Sequence, residues 1–98
     1  MLLSVAAVAL LDADTDPQVV LVRQFRTAAQ KVLLEIPAGT LEPNEPPDAA
    51  MVRELQEEVG YKPGKLERLV GEYTAPGYTT ELIHIYLATD LTPARLEG

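Results

Sequence analysis

Three carboxylates and a guanidinium fall within one short run of this chain, Arg53-Glu54-Leu55-Gln56-Glu57-Glu58, and Gly39 and Glu45 precede it at short intervals. Glutamates three and four positions apart on a helix lie close together, and such like-charge pairs cost a few tenths of a kcal/mol each. Arg53, four residues before Glu57, is the nearby cation. A bound divalent cation would reverse the repulsion. Hard oxygen donors gathered at one point suit Mg²⁺ or Mn²⁺ rather than zinc, and the chain has no cysteine and a single histidine to offer a softer site. Glutamates on the outer face of an amphipathic helix are usually only a solvated surface.

The carboxylates need a helix to hold them. Pro46-Pro47 suits a helix start and Gly60 a helix end, with about three turns of good helix formers between. On a 3.6-residue period Ala49, Val52, Leu55 and Val59 fall on one face, and Glu54, Glu57 and Glu58 fall on the opposite one. Upstream, LLSVAAVALLDA lacks a positively charged start and is too short to span a membrane, so it reads as a buried strand. A turn over Asp12 to Pro17 leads into QVVLVRQF, a second strand completing a hairpin. VLLEIPAG is a further apolar run ended by Pro37 and Gly39. Downstream, LERLVGEY and ELIHIYLA read as two strands separated by the turn TAPGYT. Alternation puts His84 with Leu82 and Tyr86, opposite Ile83 and Ile85. A lone strand histidine is usually structural, and it is assigned no role.

Composition sets the limits. With 98 residues, of which 47% are hydrophobic, the expectation is a single domain over 1–98. A net charge of −7, with eight Lys and Arg in no stripe, argues against a nucleic-acid surface. The absence of cysteine excludes a disulfide framework and a thiol nucleophile. No membrane partner is expected, and the cytoplasm is the expected compartment.

The stretch GTLEPNEPPDAAMVRELQEEVGY, residues 39–61, resembles the Nudix box with each specified position filled: Gly39, Glu45, Arg53-Glu54-Leu55, Glu57-Glu58, Gly60 and the apolar-bodied Tyr61. The resemblance implies an α/β (α+β) fold, the Nudix α/β/α sandwich on a mixed sheet. It also implies that the loop from glycine to helix folds back so that Arg53 pairs with glutamates. Arg53 and Glu45 would then support the site, Glu54 and Glu58 would ligate metal with Glu57 close by, and the Ala38 carbonyl would add an oxygen. The family fold closes with another strand and a C-terminal helix. After Ala88 only TDLTPARLEG remains, so both elements are expected to be missing, as is an acidic loop in which some members place a catalytic glutamate.

Flanking segments narrow the resemblance. LEIPAGTLE, VRQFR and Pro76 in APGYTTE look like the ADP-ribose pyrophosphatases of this family. That subgroup implies a substrate phosphate contact from Arg26, whose paired planar donors suit phosphate oxygens, with Arg23 a weaker candidate. Gly39 would line the substrate site, and Glu42 and Glu81 match positions near the metals and the terminal ribose. Ala75 stands where a serine is common, and the residues that clamp adenine are absent. The implied reaction is attack of water on a pyrophosphate phosphorus assisted by two or three Mg²⁺ ions, with Mn²⁺ as a substitute. ADP-ribose would give AMP and ribose 5-phosphate, with Glu57 or Glu81 as base and Arg53 in the catalytic set. A nucleoside diphosphate sugar is the implied partner and a homodimer the implied assembly. The alternative is a weak or inactive truncated Nudix-fold module that binds a nucleotide or a protein.

Overall fold

The computed structural model describes residues 3–73 and 82–96. In chain order the elements are β1 (Leu3–Leu11), β2 (Gln18–Val20), β3 (Val22–Arg26), β4 (Lys31–Glu35), β5 (Ala38–Thr40), α1 (Pro47–Glu58), β6 (Tyr61–Tyr73) and β7 (Leu82–Pro93). β1 is the hub, because a run of small and branched apolar residues can be buried on both faces. Val5, Ala7 and Ala9 are fully buried, and Ser4 and Ala6 nearly so.

One edge of β1 runs parallel to β7, from Leu3 opposite Leu82 to Ala9 opposite Ala88. The other edge is shared by two short antiparallel partners, β2 against Ala9 to Leu11 and β5 against Ser4 to Ala6. β6 pairs antiparallel with β7, with a bulge between Arg68 and Val70. The main path is therefore β2-β1-β7-β6 with β5 added on β1, a mixed sheet with one helix against it. The core joins Val5, Ala7, Ala9, Tyr86 and Ala88 of the sheet to Ala50, Met51 and Leu55 of α1. Each large side chain buried there contributes roughly 1.5–3 kcal/mol. Alanines at four of these positions hold the helix close to the sheet.

Several expectations from the sequence are corrected. QVVLVRQF is not one strand: it breaks at Leu21, and its second half pairs with β4 in a separate two-stranded sheet. The reason is competition for an edge. Continued along β1, the strand would reach Ser4 to Ala6, which β5 already occupies. The hairpin of β3 and β4 leaves Phe25, Val32 and Leu34 exposed, although VLLEIPAG reads as an apolar run. The strand read over ELIHIYLA runs past Ala88 through TDLTP to Pro93, and this part pairs with the start of β6.

The helix is also rotated relative to its apolar count. Ala49 is exposed, and the inward arc is Ala50, Met51 and Leu55. At about 100° per residue, Glu54 and Glu58 lie within that arc and Glu57 at its margin. Two glutamates thus face the protein, not the solvent. The packing tolerates them because Gly39 leaves room for one and Arg53 neutralises part of the charge.

Candidate active site

The helix that carries the carboxylates is held at both ends. Pro46 caps it in an extended conformation and Pro47 begins it, where a missing N–H is harmless. In the first turn Asp48 accepts a 2.5 Å hydrogen bond from the Tyr86 hydroxyl. Burial, and then this bond, pushes the Tyr86 phenol up to about 12. At the far end Gly60, with φ 75°, turns the chain into β6, and both Val59 and Gly60 donate to the Leu55 carbonyl at 3.0 Å. The Gln56 amide donates to the Ala94 carbonyl at 3.0 Å, tying the last turn to the segment after β7.

Arg53 organises the loop before the helix. Its Nε donates to Glu45 Oε2 at 2.8 Å and its Nη2 to Glu45 Oε1 at 2.9 Å, a two-point grip. Nη1 donates to Glu54 at 2.9 Å and to Glu57 at 3.2 Å, and Nη2 donates also to the Thr40 carbonyl at 3.2 Å. A guanidinium has five N–H groups, and these contacts engage all of them. Glu45 Oε1 accepts a further 2.9 Å bond from the Glu42 backbone N–H. With Arg53 as the main cause and this backbone bond second, the Glu45 carboxyl is held down at about 2. Asn44 at φ 62° closes the turn that brings Glu45 back.

Glu54 and Glu58 stand at the junction of helix and β5. A Cβ on Gly39 would lie 2.1 Å from the Glu54 carboxyl carbon, so any side chain there would push that carboxylate aside. Glu58 Oε2 is buried and has no hydrogen-bond partner among the described residues. Burial first, then the hydrogen bond and repulsion from Glu54, pushes Glu58 up to about 7, against a lowering from the Ala38 backbone. A partnerless buried carboxylate oxygen beside a second carboxylate is costly in an apolar setting, and a cation is the group that relieves it. Oxygen donors only, one of them orphaned, fit a hard divalent ion. As the side chains stand, no cluster of three or more acidic or histidine groups among the described residues is gathered closely enough to hold a metal. Arg53 holds oxygens of both Glu54 and Glu57.

The remaining sequence-derived residues are placed as follows. Glu42 is exposed, its carboxylate 3.8 Å from Arg53 Nε. Ala38 lies on β5 beside Gly39. Arg23 and Arg26 point to opposite faces of the hairpin by strand alternation, so the structure separates them. Arg26 forms a two-point ion pair with Glu35. Glu81, Ala75 and Pro76 lie outside the described residues. His84 is buried with Tyr86, and its Nδ1 has no partner among the described residues. Burial and then Arg68 lower its pKa.

Sequence reasoning missed Glu35, Asp48, Tyr86 and the Thr40 carbonyl. Glu35 interrupts the apolar run VLLEIPAG, which is a usable signal. The Asp48–Tyr86 bond joins residues 38 positions apart and leaves no local trace.

A glycine packed on a helix carboxylate, an arginine engaging three glutamates and an inward pair of acids on a mixed sheet define one class of protein. The chain belongs to the Nudix family, whose NUDIX domain matches residues 1–97. It is 41% identical over 86 residues to an ADP-ribose pyrophosphatase of Bacillus subtilis, covering 88% of this chain and 46% of that protein. It is 40% identical over 88 residues to a GDP-mannose pyrophosphatase of Salmonella arizonae, covering 84% and 46%. A crystal structure of an ADP compounds hydrolase superposes with a TM-score of 0.88 at 31% identity, covering 99% of this chain and 50% of that one. The chain thus spans about half the length of the relatives it matches. Among the described residues no helix is long and apolar enough to cross a membrane.

Proposed function

We propose that this chain carries the site of a metal-dependent pyrophosphatase acting on ADP-ribose or a related nucleoside diphosphate sugar. The observation that carries the reading is the acidic corner at Gly39, where Glu54 and Glu58 are turned inward and Glu58 Oε2 is left without a partner. A surface cluster of acids would be solvated instead. The kinship with an ADP-ribose pyrophosphatase and a GDP-mannose pyrophosphatase supports the substrate class.

Glu54 and Glu58, with Glu57 and the Ala38 carbonyl, would hold Mg²⁺ or Mn²⁺, two or three ions. Bound there, such ions neutralise diphosphate charge, stabilise the leaving phosphate and lower the pKa of water. The residues of the chain do the rest. Arg53 and Glu45 keep the loop folded against the helix, so the carboxylates stay fixed as charge changes around them. Arg26 contacts a phosphate, and Gly39 and Glu42 line the substrate site; Arg23, on the other face of the hairpin, is the weaker candidate for that contact. Water adds its oxygen to one phosphorus, and the bridging P–O bond breaks. The bridging oxygen leaves with the other phosphate, and the water proton passes to a carboxylate, Glu57 or Glu81. ADP-ribose so treated yields AMP and ribose 5-phosphate. The enzyme is further proposed to act as a homodimer in the cytoplasm.

The test is phosphate release, coupled to a phosphatase, from ADP-ribose, GDP-mannose and other nucleoside diphosphate compounds with and without Mg²⁺. Mg²⁺-dependent release from at least one nucleoside diphosphate sugar is expected. Binding without turnover on the whole panel would move the chain to the class of nucleotide-binding modules.

A further inference from the structure

Arg26 does not reach freely into solvent. On β3 it stands opposite Lys31, at the turn end of the hairpin, whereas Glu35 stands opposite Val22 at the other end. The Arg26 side chain therefore lies back along its strand, past the Gln24–Leu33 pair, to meet Glu35. Arg26 Nε donates to Glu35 Oε2 at 2.5 Å, and Nη2 donates to Glu35 Oε1. Glu35 is the last residue of β4. Ile36 and the buried Pro37, whose carbonyl accepts from the Ala7 N–H at 3.0 Å, then lead into Ala38 and Gly39. The carboxylate that grips Arg26 is thus fixed to the segment that enters the acidic corner.

The grip uses one edge of the guanidinium, Nε and Nη2. The other edge, between Nη1 and Nη2, offers two parallel N–H groups and donates to nothing among the described residues. Two-point binding of a phosphate needs such an edge. Left alone, an exposed arginine samples many rotamers and loses that freedom on binding.

We propose that Glu35 is a positioning residue for phosphate recognition: it holds the Nε edge of Arg26 and presents the Nη1–Nη2 edge to a diphosphate seated at the acidic corner. The inference rests on the reading of Arg26 as a phosphate contact and extends it to a residue with no expected role. Glu35 itself touches no substrate. It acts by removing rotamers of Arg26 and by choosing which edge is free.

The experiment is calorimetric titration of α,β-methylene ADP-ribose, whose bridging carbon resists hydrolysis, into the wild-type chain with Mg²⁺. The variants are Glu35→Gln, Glu35→Asp, Arg26→Ala and the double variant Arg26→Ala/Glu35→Gln. Glu35→Gln is expected to weaken binding about 3- to 10-fold, Glu35→Asp less, and the double variant no more than Arg26→Ala alone. In turnover of ADP-ribose the loss should fall on KM rather than kcat. Thermal midpoints should be alike, because an exposed ion pair contributes little to stability. A merely structural role would shift those midpoints and leave the two substitutions additive in binding, and that overturns the proposal. So does tighter binding by Glu35→Gln, which would make Glu35 a competitor of phosphate. Unchanged binding by Glu35→Gln with weakened binding by Arg26→Ala removes only the role of Glu35. Unchanged binding by Arg26→Ala removes the phosphate reading of Arg26 as well, and no binding by the wild-type chain removes the proposed function.

Discussion

Glu45 and Glu58 are both carboxylates of one corner, yet the fold pushes them in opposite directions. Glu45 is held at about 2 by the two-point bond from Arg53, below its ordinary 4.5. A depressed carboxyl contributes stability that is fully present above about pH 4.5 and is lost as pH falls toward 2. Acid unfolding should therefore steepen across that window, and Glu45→Gln should remove part of the slope. Urea midpoints measured from pH 6 down to about pH 2 decide it, and parallel curves for the two proteins would rule it out. Glu58 has the reverse sign. Raised from 4.5 to about 7, its charge is a cost to the metal-free fold that is absent below pH 4.5 and complete above about pH 7. Glu58→Gln should then be at least as stable as the wild type without metal, while losing metal affinity. Glu54→Gln removes charge and keeps shape, and Mn²⁺ affinity should fall about tenfold or more in each variant. Unchanged Mn²⁺ affinity in both, measured by calorimetry, would take the metal assignment away from these residues.

The helix places those carboxylates only because it is fastened to the sheet. Tyr86 to Asp48 fixes its first turn and Gln56 to the Ala94 carbonyl its last. Tyr86→Phe keeps the buried ring and deletes the hydroxyl, so it should cost about 1.5–3 kcal/mol, the range for a hydrogen bond to a charged acceptor. In a domain of this size that is a fall of about 6–24 °C in melting temperature. A midpoint within about 1 °C of wild type would show that the bond contributes nothing to helix docking. Much at this scale was legible in the chain. Pro46-Pro47 and Gly60 bracket the helix because their backbone restrictions are local, and the first hairpin shows in strand alternation around a polar turn. The rotation of the helix was not legible. Counting apolar residues favours the arc with Ala49 and Val52, but the arc actually buried is decided by Gly39 and by Arg53, which make two inward glutamates tolerable. The break at Leu21 was hidden for a similar reason. It follows from two segments sharing one edge of β1, a fact of topology that no single window contains.

At the scale of the whole molecule, the hairpin of β3 and β4 stands apart from the main sheet and turns apolar side chains outward. Phe25 is 61% exposed, Val32 52% and Leu34 64%, with Leu21 and Ile36 beside them. Phe25 pairs with Val32, and Arg23 with Leu34, so one face of a two-stranded ribbon is largely hydrocarbon. Two-stranded ribbons are marginal in water without something packed on them. A second copy of the chain is the occupant that the proposed homodimer supplies. Two chains of net charge −7 repel, but the apolar face carries Arg23 and no acid, because Arg26, Lys31 and Glu35 lie on the other face of the ribbon, so local charge there does not oppose contact. Stable dimers bury roughly 800 Å² on each partner, which the ribbon can approach only if neighbouring surface joins it. Phe25→Ser with Leu34→Ser should therefore lower the dimer affinity by tenfold or more, about 1.4 kcal/mol, while leaving Mn²⁺ affinity at the acidic corner unchanged. Light scattering over a concentration series reads the first quantity and calorimetry the second. A wild-type chain that stays a monodisperse monomer across the series would end the dimer proposal, and a doubly substituted chain that still dimerises would move the interface off this ribbon.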